Sequence, residues 1–211
     1  MMHMFDIIIK NGTVIDGSNK AKYKSDIGIN GNKIVRIGSL ENLTAKKIID
    51  AKNLIISPGF IDMHTHSDIS IINDPFAESK IYQGVTTEVT GNCSYSPFPS
   101  GNDNPNTLKE ELWEKRGNAD DPKTLWHWTT FEEYADFIER NGCSINVAPQ
   151  VGYAALQIAS GSVENRKATY DEMKMMKRLA NEAIEQGAFS LSTGLSVPPS
   201  AFASTEEIIE I

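Results

Sequence analysis

Apolar and polar positions along this chain follow two rhythms, and the change falls near Ser57. Before it, short β-branched runs alternate with tight-turn signals: FDIIIK, Asn11-Gly12, TVID, and again SDIGIN, Gly31-Asn32, KIVRIG. Two-residue turns of this composition between such runs predict hairpins. Residues 1 to 57 are therefore expected to form a small all-β unit. After Pro58-Gly59 strand-like runs alternate with segments of helical period, the sequence form of parallel βα units.

In this second part strands are expected at Phe60 to Met63, Thr86 to Thr90, Ser144 to Gln150 and Ala188 to Ser192. One helix is expected to open at Asp74-Pro75, a cap followed by a proline suited to the first helical position, and to end at Gly84. A second places Phe131, Tyr134, Ala135 and Ile138 on one face. A third opens with the capping box Thr169-x-x-Glu172, buries Met173, Met176, Ala180, Ala183 and Ile184, and closes at Gly187. Between Tyr95 and Trp128 lies a Pro-, Asn- and Asp-rich insertion. Its length reads equally as a functional lid or mobile loop and as a plain solvated loop. Trp126 and Trp128 are expected to pack it down, and His127 between them and the terminal His3 read as surface or packing residues. Ser204-x-x-Glu207 is a further capping box, and the helix it opens has run about two turns at Ile211.

Composition narrows the class. Apolar residues make up 40% of the 211, and the formal net charge of −8 is dispersed rather than gathered into a run. That argues against a nucleic-acid surface. The sequence lacks a run of about 20 apolar residues, as a membrane span needs, and its first residues lack a signal-peptide pattern. The expectation is a cytoplasmic protein with neither nucleic-acid nor membrane partners. The two cysteines, Cys93 and Cys143, lie too far apart for a zinc knuckle and are too few for a disulfide framework. Cys143 reads as core.

The sharpest motif is SPGFIDMHTHSD. His64 and His66, two apart at the end of a strand, would project on the same face about 7 Å apart along the backbone, a spacing suited to one metal ion. They end the first strand of a βα series, where barrel active sites sit. Two chance histidines remain the alternative that an isolated H-x-H leaves open.

PGFIDMHTH, following a β unit that contains GTVIDG, resembles the amidohydrolase superfamily. The resemblance implies an α/β fold: a small β-sandwich portion over 1–57, then over 58–211 the first half, about four βα units, of a metal-dependent TIM-like barrel. It also implies that His64 and His66 are neutral-imidazole metal ligands. Asp62 and Asp68 share their strand parity as candidate supporting partners. Solvation or helix capping is the other reading of each aspartate. GVTTEVTGNCSYSP is similar to the N-acyl-D-amino-acid deacylase branch, in which the cysteine after the second strand binds zinc. That residue is Cys93 here, whose other reading is a small buried core thiol. Hydantoinases and dihydroorotases instead carry a carboxylated lysine after the fourth strand, and AFSLSTGL has no lysine.

There are departures from the branch. VGYAALQ has Tyr153 where the branch commonly has histidine, and Leu156-Gln157 where Leu-Arg is usual; STGLSVPP has Val197 in place of a frequent tyrosine. A charged group able to hold an acyl-amino-acid carboxylate is thereby missing. In the family, two more zinc-binding histidines follow the fifth and sixth strands and the general base, an aspartate, follows the eighth. These are expected beyond this chain, since four βα units do not close an eight-stranded barrel. The expectation is a truncated chain with Zn2+ ligands His64, His66 and Cys93, inactive alone and prone to self-association. In the complete protein it would hydrolyse the amide of a small-molecule N-acyl-D-amino acid. The alternatives are a non-catalytic remnant and another amidohydrolase such as a dihydroorotase-like enzyme.

Overall fold

A computed structural model describes residues 4–101, 105–113 and 126–211. The chain divides into two compact units, Met1–Gly59 and Phe60–Ile211.

The first unit is a five-stranded sheet: β1 (Phe5–Val14), β2 (Tyr23–Asn30), β3 (Lys33–Gly38), β4 (Ala45–Asp50) and β5 (Ile55–Ile56). The order is β3-β2-β1-β4, with β5 also on β1. β2 and β3 form the expected hairpin around Gly31-Asn32, antiparallel with Asn30 opposite Lys33. The expected first hairpin is corrected. FDIIIK and TVID belong to one strand, and Asn11-Gly12 is a bulge within it, with the register to β2 shifting between Ile9 and Gly12. Asn11 takes φ +65°. Its N–H donates to Asp26 Oδ1 at 2.9 Å and its Nδ2 to Asp50 Oδ1 at 2.8 Å, so the extra residue is held in the sheet instead of turning the chain. Phe5, Ile8, Leu40 and Ala45 form this unit's core.

The second unit carries parallel strands β6 (Phe60–Asp62), β7 (Val85–Thr90) and β8 (Asn146–Pro149), adjacent in that order, and a parallel pair, β9 (Val151–Gly152) with β10 (Leu191–Ser192). The run expected as one strand through Gln150 breaks between β8 and β9, because Gln150 turns its N–H to Thr90 O at 3.0 Å and Val151 turns its own to Ser190 O at 2.8 Å. The strand expected from Ala188 shortens to two residues.

Seven helices accompany these strands among the described residues: α1 (Ser70–Asn73), α2 (Glu78–Ile81), α3 (Pro105–Leu112), α4 (Phe131–Asn141), α5 (Tyr153–Ser160), α6 (Tyr170–Gln186) and α7 (Thr205–Glu210). The single helix expected from Asp74-Pro75 is replaced by two short ones on either side of that dipeptide. Asp74 ends α1, Ala77 at φ +46° precedes α2, and the chain reverses between them. α4 and α6 carry full capping boxes, Thr130 with Glu133 and Thr169 with Glu172, and α7 has the expected box of Ser204 with Glu207. α6 buries Met173, Met176, Ala180 and Ala183 as expected, with Leu179 in addition. Ile184, expected inside, is 45% exposed because it lies off the centre of that narrow stripe.

α5 escaped the periodicity reading. Tyr153, Ala154, Ala155, Leu156 and Gln157 are all buried, and a helix covered on every side has no polar face to mark its period. The reading of the insertion as a solvated loop is corrected where it is described. Tyr95 to Gly101 is mostly buried, α3 lies within the insertion, and Trp126 and Trp128 are each 1% exposed in the core. Trp128 donates through Nε1 to Pro97 O at 2.9 Å, closing the insertion on its own start. Residues 102–104 and 114–125 of it lie outside the described residues, as does His3. Cys143 packs against the core as expected, and His127 is exposed. Among the described residues no helix is long and apolar enough to cross a membrane.

Candidate metal centre

The C-terminal ends of β6 and β7 lie side by side, with Asp62 paired to Glu88 in register. The chain beyond each end carries the chemistry. His64 and His66 lie just past β6, and Cys93 lies just past β7. One ligand atom from each of the three falls within 4.8 Å of the others. His64 Nε2 stands 3.3 Å from Cys93 Sγ, and the two imidazoles meet edge to face with centroids 5.6 Å apart. Two nitrogens and a thiol sulfur sharing one zinc ion tetrahedrally would place N and S about 3.5 Å apart, so the donor set fits such an ion in both identity and spacing. Both histidines are exposed and Cys93 is half-buried.

The Cys93 arm is shaped by backbone contacts. Gly91, Cys93 and Ser94 all take positive φ, at +77°, +56° and +71°. This coil reaches the neighbouring strand ends only because Gly152 and Gly194 lack side chains. A Cβ on Gly152 would lie 2.2 Å from Ser94 O, and one on Gly194 2.6 Å from the Cys93 carbonyl carbon. Ser192 Oγ donates to Gly91 O and accepts the Ser94 N–H at 3.3 Å, and Ser94 Oγ accepts the Gly194 N–H. The STG segment recognised in the sequence thus cradles the cysteine loop.

The histidine arm is held by charge. Lys80 of α2 donates to Asp62 Oδ2 at 3.0 Å and Thr65 Oγ1 at 3.2 Å, and pairs with Glu88 Oε1 at 2.8 Å. Glu88 is fully buried. Burial works against the charge of Lys80, but Glu88 and Asp62 outweigh it and hold its ammonium above the ordinary value. Asp62 is lowered by the bond from Lys80 and by the His64 N–H. His66 lies below its ordinary value, first because its surroundings desolvate the charged ring even though solvent reaches the side chain, and then because His64 is near. A neutral imidazole is the form that binds metal.

The aspartates expected as partners of the histidine rings do other work. Asp62 accepts the backbone N–H of His64 at 3.2 Å and turns its other oxygen to Lys80. Asp68 is neither solvated nor a helix cap. It is 1% exposed, its Oδ1 accepts the Gly91 N–H, and burial raises its carboxyl to about 7. The sequence assigns no role to Lys80, to Glu88 and Asn92 within GVTTEVTGNCSYSP, or to Ser192 within AFSLSTGL. Lys80 lies on a different element from the residues it grips, and no local spacing announces it. At the departures from the branch, Tyr153 is fully buried with its hydroxyl raised to about 12 by burial and then by Glu207. Gln157 is buried against Ser200 Oγ at 3.0 Å. A cavity of about 830 Å³ is lined by residues of α4, β8 and the end of α6 and includes none of the three ligand candidates.

Comparison with known proteins agrees with this architecture. The profile of the amidohydrolase family matches residues 47–181. The chain is 38% identical over 207 residues to a D-aminoacylase of Alcaligenes xylosoxydans xylosoxydans, covering 98% of this chain and 41% of that protein. A solved D-aminoacylase with a binuclear metal centre superposes with a TM-score of 0.85 at 39% identity, covering 98% of this chain and 42% of the other. An N-acyl-D-glutamate deacylase of Bordetella bronchiseptica, complexed with zinc and a phosphonate mimic of the tetrahedral intermediate, superposes at 0.83 with 31% identity over 98% of this chain and 42% of the other. The chain thus spans about two fifths of the length of the relatives it matches.

Proposed function

Because this chain belongs to the amidohydrolase family, we propose that His64, His66 and Cys93 are its contribution to a zinc centre that hydrolyses the amide of N-acyl-D-amino acids. The convergence of the three donor atoms within 4.8 Å carries this reading. A bound Zn2+ would act there as a Lewis acid that polarises a carbonyl and activates water. The chain's own residues do the rest of the local work. His64 and His66 present imidazole nitrogens at the end of β6, Cys93 supplies the soft donor, and the Lys80 network keeps the histidine arm in place. The reading is supported by relatives that are D-aminoacylases and acyl-D-amino-acid deacylases.

Tyr153, Leu156 and Gln157 are packed into the core, so this segment offers no cation to a substrate carboxylate. That observation favours either recognition of the carboxylate by another segment or a second reading, a non-catalytic remnant. The protein at its native length, incubated with Zn2+ and a panel of N-acetyl-D-amino acids and their L-enantiomers, tests this. Zinc-dependent release of D-amino acids is the expected result. A zinc-loaded protein inert toward the whole panel supports the remnant.

A further inference from the structure

The histidine arm and the cysteine arm come from different strands, so a shared ion requires that something fix the gap between them. The side chain of Asn92 meets both. It is 8% exposed, and its amide has every hydrogen-bonding group engaged. Nδ2 donates to Thr65 O at 3.1 Å and to Val89 O at 2.8 Å, and Oδ1 accepts from Gln150 Nε2 at 3.1 Å. Gln150 in turn accepts from Ser190 Oγ at 2.9 Å. Thr65 is the residue between His64 and His66, and its own N–H donates to Val89 O at 3.3 Å. Both backbone polar groups of the central residue of H-x-H are therefore tied to the end of β7 and to Asn92, whose next residue is Cys93.

We infer that Asn92 is a positioning residue that sets the separation of Cys93 from the His64/His66 pair. The inference rests on the metal reading above. Its chemistry is specific. Two carbonyl oxygens face Nδ2, so the residue there must offer two N–H groups, while Gln150 demands an acceptor at the other end. Asparagine alone meets both demands at that length. Aspartate would set an oxygen against two carbonyls, and leucine would take their partner from the Thr65 carbonyl and a Gln150 N–H and leave Val89 O with the Thr65 N–H alone. Lys80 grips the histidine arm from the other side, through Asp62 and Thr65 Oγ1, and Asp68 steadies the loop one residue earlier through Gly91. Neither bonds the peptide between the two histidines.

The test is Co2+ titration of the protein at its native length, followed by thiolate-to-cobalt charge-transfer absorption and by the metal bound per chain. Asn92→Leu and Asn92→Asp are compared with wild type, with Cys93→Ala as the control that lacks the band. Both Asn92 variants are expected to bind Co2+ about tenfold to a hundredfold more weakly, the range for residues that orient metal ligands. At saturation the band per bound ion should weaken, a change that lower fold stability alone would not produce. Wild-type affinity and band in a folded Asn92→Leu protein, with the band absent in Cys93→Ala, overturn the inference and leave the metal reading standing. Absence of the band in wild type removes both. If the Asn92 variants do not fold, Gln150→Met decides: weaker binding with a reduced band supports the inference, and unchanged binding overturns it.

Discussion

At the scale of single residues, the site depends on the arrangement of a few polar atoms. Cys93 is held at φ +56° by a coil whose close neighbours are glycine backbones. Cys93→Ala should therefore leave the loop in place and remove the sulfur. In the native-length protein this variant is expected to lose tight zinc and all turnover, read by metal analysis after dialysis together with an amide-hydrolysis assay. Retained zinc and activity would sink the ligand assignment. Gly194→Ala acts on the same arm from outside, because its Cβ would stand 2.6 Å from backbone atoms of Cys93. It should weaken metal binding without touching a donor atom, measured by competition with a chromophoric chelator. The opposite neighbour, Lys80, illustrates a buried ion pair. Lys80→Met leaves Glu88 fully buried and unpaired, and should cost about 3–5 kcal/mol of stability in denaturant unfolding.

At the scale of elements, α6 is the helix whose energetics are clearest. Met176 is fully buried in its stripe, and Met176→Ala should cost about 2–5 kcal/mol by chemical denaturation. Its N-terminus adds a pH dependence. Arg166 donates from both terminal nitrogens to the Glu172 carboxylate, at 2.7 Å each, and the Thr169 N–H donates to the same group at 2.7 Å. The Arg166 bond outweighs desolvation by burial and, with the smaller capping bonds from Thr169, holds the Glu172 carboxyl down at about 2, below its ordinary 4.5. A depressed carboxyl stabilises the fold fully above its unfolded value and loses that contribution as pH falls through the folded one. The contribution of Glu172 should thus fade between about pH 4.5 and pH 2. Glu172→Gln should flatten that part of the melting-temperature profile, and a Glu172 titration by NMR with an ordinary midpoint would contradict the assignment.

At the scale of the whole molecule, β6 pairs among the described residues with β7 alone in the sheet of β6, β7 and β8, and Phe60 is 57% and Ile61 59% exposed. An open strand edge beside exposed apolar side chains favours association. A 211-residue polypeptide of this sequence is expected to sediment as a concentration-dependent oligomer; a monomer that melts cooperatively would refute this. The same geometry gives weight to the intact mass of the native gene product. A chain about twice as long is what an eight-stranded barrel requires, and that mass would support the zinc hydrolase over the remnant.

Much of this was readable before the fold. Capping boxes at Thr169 and Ser204, the apolar stripe of α6, the hairpin at Gly31-Asn32 and the H-x-H pair are all local patterns, and the local backbone obeys them. Cys93 was found through its GNC context, and the structure brings it to the histidines. Other features depended on who the neighbours are. Asn11-Gly12 has the composition of a turn, but with Asp26 and Asp50 beside it the better solution is a bulge. α5 carries no periodic signal because every side of it is buried. Lys80, Glu88, Asn92 and Gly194 are each ordinary residues in sequence, drawn to the site by strand pairing across tens of residues. Local propensity and periodicity selected most of the elements, and the H-x-H spacing together with the family resemblance of the Cys93 segment pointed to the candidate donor atoms. Only tertiary pairing decided which strand ends meet, because the bonds that close the site run between residues that share no local spacing.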